Sequence, residues 1–142
     1  MSINPLYTAH ATATGGRDGR ATTPDGSLNL TLATPKELGG NGAGNNPEQL
    51  FAAGYAACFI GAMKFAATQD KSLPRIPADI RVDSAVGIGP RSDGGFGLTV
   101  ALTIHLPGVD RAAGEALIAK ADETCPYSHA TRGNIDVKLT LA

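Results

Sequence analysis

The sequence has no excess of charge of either sign: twelve Lys and Arg stand against thirteen Asp and Glu, for a net charge of -1. Without a run of like charge it offers no electrostatic footprint for nucleic acid or anionic lipid, so neither a nucleic-acid nor a membrane partner is expected. The start, Met1-Ser2-Ile3-Asn4-Pro5-Leu6-Tyr7, lacks the basic and apolar regions of a secretory signal, which points to a cytoplasmic protein. A strongly apolar run is also wanting. Leu50 to Ala67 comes nearest, but it carries Lys64 and is rich in Ala and Gly, so a buried helix of a soluble protein is expected there instead of a membrane span. Cysteine is scarce: Cys58 and Cys125 form no Cys-x-x-Cys pair, and His10, His105 and His129 are scattered, so neither a zinc site nor a thioredoxin-type motif is supported. In a reducing compartment a purely structural disulfide between two distant cysteines would be unusual, and a transient, catalytic pairing has to be weighed. No phosphate loop, nucleotide fingerprint, serine-histidine-acid set, internal repeat or low-complexity tail stands out.

What is present fits one compact domain over residues 1–142. Leu6 to Thr14, the glycine-rich turn Gly15 to Gly19, and the alternation of Leu28, Leu30 and Leu32 predict a β-hairpin with a decorated loop. A flexible connector, Gly39 to Asn45, then meets a helix start in which Asn46 is the N-cap, Pro47 the first helical residue and Gln49 sits at N3. This helix runs to about Gln69, and its small or apolar middle predicts burial on every side. Ile80, Val82, Val86 and Ile88, then Phe96 to Leu106, alternate as a second hairpin closed by a turn at Pro90 to Gly95. Asp110 caps a second helix, with Ala113, Ala116, Leu117 and Lys120 at helical spacing, that Cys125-Pro126 interrupts. Ile135, Val137, Leu139 and Leu141 make a closing strand. The order ββ-α-ββ-α-β is an α+β pattern of mainly antiparallel sheets packed on a buried central helix.

Taken singly, the candidate residues have ordinary explanations. Free cysteine is among the most buried residue types, so Cys58 alone reads as core. Cys125, at a helix end before proline, reads the same way but more weakly, since access is easier beside a backbone break. Arg17 suits a solvated turn, and Glu48 suits the positive end of a helix dipole.

Their combination is more specific. Arg17 in Gly-Gly-Arg-Asp-Gly, Asn46-Pro47-Glu48-Gln49-Leu50-Phe51, Ala57-Cys58-Phe59 and Cys125-Pro126-Tyr127-Ser128 occur together and in this order. The sequence resembles the organic hydroperoxide resistance proteins (Ohr) of the OsmC superfamily over nearly its whole length, from Leu6-Tyr7-Thr8 to Asp136-Val137. The resemblance implies an Ohr/OsmC-like fold, an intertwined homodimer and a cysteine-based peroxidase acting on alkyl or fatty-acyl hydroperoxides in oxidative-stress defence. It further implies that Cys58 is the peroxidatic cysteine, Cys125 the resolving cysteine, and Arg17 with Glu48 the polar pair that activates Cys58. No bound cofactor is implied; a dihydrolipoyl-type dithiol, on a lipoylated protein or free, is the implied external reductant.

The chemistry is consistent with these roles. Attack on peroxide needs thiolate, a cysteine with pKa about 8.5 is mostly protonated at neutral pH, and burial makes matters worse. A guanidinium that stays charged when desolvated is therefore required, and Glu48 would orient it. Glu48 and Cys58 lie ten positions apart, about 15 Å along one helix axis at 1.5 Å per residue. One arginine does not readily span that, which predicts that Glu48 comes from a second copy crossing near Ala53 and Gly54. Two rival readings stay open: a non-enzymatic protein with packing cysteines that binds a lipid-like ligand, and a redox sensor oxidised only once.

Overall fold

The computed structural model describes residues 2–142. The chain forms two compact units, residues up to Pro47 and residues 48–142.

The first unit is built around a small antiparallel sheet of three strands, β1 (Thr12–Thr14), β2 (Arg20–Thr22) and β3 (Asn29–Thr31), in that order. The expected hairpin thus has an extra strand. The expected strand from Leu6 is shorter than predicted, since Leu6 and Tyr7 are exposed and lie outside any strand. Between β2 and β3 the Asp25 carboxylate accepts the Ser27 N–H and the Ser27 and Thr23 hydroxyls, which bends the chain back without the help of core packing. These three bonds hold the Asp25 carboxyl down at about 2.

The second unit opens with α1 (Pro47–Gln69), as the cap and proline signals predict. It continues with β4 (Arg81–Pro90), β5 (Phe96–His105), α2 (Arg111–Thr124), α3 (Pro126–Thr131) and β6 (Val137–Leu141). The hairpin β4–β5 turns at Arg91–Gly95, where Gly94 and Gly95 take positive φ. Asp110 caps α2 by accepting the Ala113 N–H at 3.2 Å. The chain between β5 and β6 is helical and long enough to cross over, so β6 joins β5 in parallel, with Leu102 opposite Leu139. The sheet order is β4-β5-β6, antiparallel save for that last pair.

The second helix ends at Thr124, where Cys125-Pro126 is expected to interrupt it, but Pro126 also starts a further short helix, α3, that the expected order lacks. On α2 the buried residues are Gly114, Leu117, Ile118 and Ala121, while Ala116 and Lys120 face outward. The central helix is also not buried all round within this chain. Tyr55, Phe59, Ala62, Met63 and Ala66 enter the core beside Leu102, Ile104 and Leu117, whereas Ala53, Ala57, Gly61, Lys64 and Phe65 are exposed. By length and composition α1 could also cross a membrane, contrary to the expectation from its alanines. It is instead the packing of its aromatic stripe against the sheet that identifies it as a core helix.

Candidate functional site

In the first unit Arg17 sits in a 3₁₀ turn, Gly16–Asp18, whose geometry only glycine allows at its ends. Gly15 has φ of 70°, and a Cβ on Gly19 would lie 1.6 Å from the Thr14 carbonyl oxygen. The turn is tied down from the other side. Asp18 accepts the Thr34 N–H at 2.9 Å and the Thr34 hydroxyl at 3.0 Å, and these bonds hold its carboxyl below the usual range. Arg17 is therefore carried, half-buried, on an anchored loop. Asp18 was the overlooked member of this motif; its signal was an acceptor directly following the arginine in a glycine turn.

In the second unit Cys58 and Cys125, distant in sequence, are neighbours. Both are free thiols; Cys125 is fully buried and Cys58 partly so, which reverses the expected order of accessibility. The backbone break after Cys125 faces into the core instead of outward, because α3 folds back onto α1. Burial raises the Cys58 pKa, and Cys125 raises it further, both through its charge when ionised and through a hydrogen bond between the two thiols. The Tyr127 backbone N–H acts in the opposite direction by donating to the Cys58 sulfur. The second unit thus brings the two sulfurs together but favours the thiol over the thiolate. Glu48, half-buried, lies in the first turn of α1, ten residues before Cys58.

What brings α3 to Cys58 is an aromatic and hydroxyl junction that the sequence reading did not single out. Tyr127 stacks beside Tyr55 with centroids 5.5 Å apart and edge-on to Phe51 at 5.7 Å. Gly54 makes room for it, since a Cβ there would lie 2.4 Å from the Tyr127 hydroxyl oxygen. The Tyr55 hydroxyl, fully buried, reaches Ser128 Oγ at 2.8 Å and Thr131 Oγ1 at 3.3 Å. The only sequence sign of this was spacing, with Ser128 one helical turn beyond Cys125 and Thr131 one turn further.

Other polar features stand apart from the thiols. His105 accepts or donates at the surface between Asp83 and Arg81, with its Nε2 2.9 Å from the Asp83 carboxylate. A groove of about 560 Å³, lined by Lys64, Lys71, Leu73, Arg75 and Ile76 among others, includes neither cysteine. Among the described residues no three His, Cys, Asp or Glu side chains converge on a common point.

Comparison with known proteins gives a consistent picture. The model of the OsmC-like protein family matches residues 39–140. An organic hydroperoxide resistance protein of Xanthomonas axonopodis pv. citri is 62% identical over 138 residues, covering 96% of this chain and 95% of the relative. The crystal structure of an organic hydroperoxide resistance protein from Legionella pneumophila is 50% identical, with a TM-score of 0.90 over 98% of this chain and 99% of that one. One from Elizabethkingia anophelis is 47% identical, also with a TM-score of 0.90, over 99% of each chain.

Proposed function

The chain belongs to the OsmC-like family, and from that premise we propose that it defends against organic hydroperoxides by reducing them to alcohols with Cys58. The observation that carries this reading is the pairing of Cys58 with Cys125 across the junction of α1 and α3. A partly accessible sulfur backed by a fully buried one is the arrangement a two-cysteine peroxidase needs. The first meets the substrate, and the second waits out of solvent for the oxidised product.

The Cys58 thiolate attacks one peroxide oxygen; an S–O bond forms as the O–O bond breaks, and the alkoxide leaves as an alcohol after taking a proton. Cys125 then attacks the Cys58 sulfenic sulfur, forming the disulfide and expelling water. An external dithiol of the dihydrolipoyl type reduces the disulfide and is itself oxidised to a cyclic disulfide. Because burial and Cys125 both oppose ionisation of Cys58, a cation must offset them, and Arg17 on its anchored loop is our candidate. Glu48 orients that guanidinium through a carboxylate pair, supplied by the second copy of a homodimer. Of the two small residues expected at the crossing, Ala53 is exposed as a close crossing requires, whereas Gly54 lies against Tyr127, so the crossing rests on Ala53 and its exposed neighbour one turn on, Ala57. The apolar setting of Cys58 favours alkyl or fatty-acyl hydroperoxides over hydrogen peroxide.

Steady-state consumption of an alkyl hydroperoxide with a lipoyl-type dithiol as reductant tests the proposal. Catalytic turnover that vanishes in Cys58→Ser is expected. Consumption that stops after one equivalent per chain, or that survives Cys58→Ser, would overturn it in favour of a sensor or a binding protein.

A further inference from the structure

We infer that Tyr55 is a positioning residue for the second half of this reaction. Its buried hydroxyl fixes α3 against α1 and so decides how oxidised Cys58 divides between disulfide and sulfinic acid. The inference rests on the peroxidase reading above.

Ser128 and Thr131, 2% and 3% exposed, are the buried polar side chains among the described residues, and both bond the Tyr55 hydroxyl. The Thr131 hydroxyl donates to the Ser128 carbonyl at 3.2 Å. That leaves its lone pair for the Tyr55 O–H, and the Tyr55 oxygen for the Ser128 O–H. This assignment employs all three protons and leaves no hydroxyl idle, as burial demands. The latch lies one helical turn from each sulfur, since Tyr55 precedes Cys58 by three residues on α1 and Ser128 follows Cys125 by three on α3. Holding the helices there holds the two sulfurs.

The chemistry is sensitive to that spacing. A disulfide needs sulfurs about 2.05 Å apart with Cα atoms about 4.4–6.8 Å apart, so a small retreat of α3 delays bond formation. Attack by Cys125 makes the S–S bond, breaks the S–O bond and releases water. When it is late, a second hydroperoxide transfers an oxygen to the sulfenic sulfur, giving sulfinic acid and a second alcohol, and the enzyme is lost to the cycle. The first oxidation does not consume Cys125, and the one feature of α3 it uses, the Tyr127 N–H on the Cys58 sulfur, is held by the ring contacts of Tyr127 with Phe51 and Tyr55, which do not depend on the Tyr55 hydroxyl.

Tyr55→Phe keeps the ring and removes the hydroxyl. Reduced protein is mixed with rising excesses of tert-butyl hydroperoxide, and disulfide and sulfinic acid are quantified by intact-mass spectrometry. The first-turnover oxidation rate is expected to stay within about twofold of the wild type, while the sulfinic fraction at a given excess rises about fivefold or more. Ser128→Ala reproduces the shift and serves alone if Tyr55→Phe does not fold. Leu117→Ala, a cavity in α2, lowers stability but leaves the partition unchanged. A wild-type partition in the latch variants, or an equal shift in Leu117→Ala, overturns the inference. A wild type that forms neither product overturns the peroxidase reading itself.

Discussion

At the scale of single residues the account turns on how Cys58 becomes a thiolate. Burial and Cys125 raise its pKa, so the cation assigned to Arg17 has to outweigh both. Arg17→Ala is expected to move the pH midpoint of Cys58 alkylation upward by at least about one unit, cutting peroxide reduction near neutral pH about tenfold or more. Arg17→Lys should recover only part of this, since an ammonium lacks the planar fork. An unchanged alkylation profile would leave Arg17 without a role. Asp18 supports the same loop and has a pH signature of its own. Its folded pKa is lowered, so its contribution to stability is present above the ordinary carboxylate value and is lost as pH falls through the folded one. The Thr34 amide resonance is therefore expected to hold its shift as the pH drops through about 4 and to move only below that. Titration at the ordinary value would mean the clasp is absent in solution. The turn that carries Arg17 was legible in the sequence because glycines frame it, whereas the role of Arg17 came only from the resemblance to a family. The clasp was not legible, since Thr34 lies beyond two intervening strands.

At the scale of elements, α1 was the most legible part of the sequence. Asn46-Pro47 gives its start, and the observed helix is Pro47–Gln69. Its surroundings were harder to read, because a helix of small and apolar residues looks buried on every side whichever side the chain covers. The α1–α3 junction was hidden for a different reason: it depends on Gly54 having no side chain beneath Tyr127. Gly54→Ala tests it. Helix propensity alone would make the change favourable by about 1 kcal/mol. A methyl 2.4 Å from the Tyr127 hydroxyl, with that ring already flanked by Phe51 and Tyr55, is expected to reverse the sign. Overpacking of this kind costs about 1–3 kcal/mol, so a lower melting temperature is expected, together with slower disulfide formation. A stabilised protein would show that Tyr127 moves aside freely.

At the scale of the whole molecule, the α+β class and the strand-helix order were read from alternation and caps. The third strand of the first sheet and the parallel placement of β6 were not, since three-residue strands carry no period and direction in a sheet is set by the crossover. In the proposed reading, the exposed face of α1 and the separation of Glu48 from Cys58 on one helix are met by a second copy. Mixed dimers can test this: Cys58→Ser and Glu48→Gln chains, each inactive alone, are unfolded together and refolded. Composite sites predict recovery of about a quarter of wild-type activity, because only mixed dimers regain one complete site. No recovery would place both groups in the same chain. The central claim, that Cys58 is oxidised by organic peroxide and captured by Cys125, is tested most directly in one turnover without reductant. Reduced protein is treated with one equivalent of an alkyl hydroperoxide, and alcohol yield, intact mass and the Cys58–Cys125 peptide are measured together. The prediction is one alcohol per chain and the loss of two hydrogens, located as a bond between those cysteines; intact peroxide beside two free thiols would contradict it.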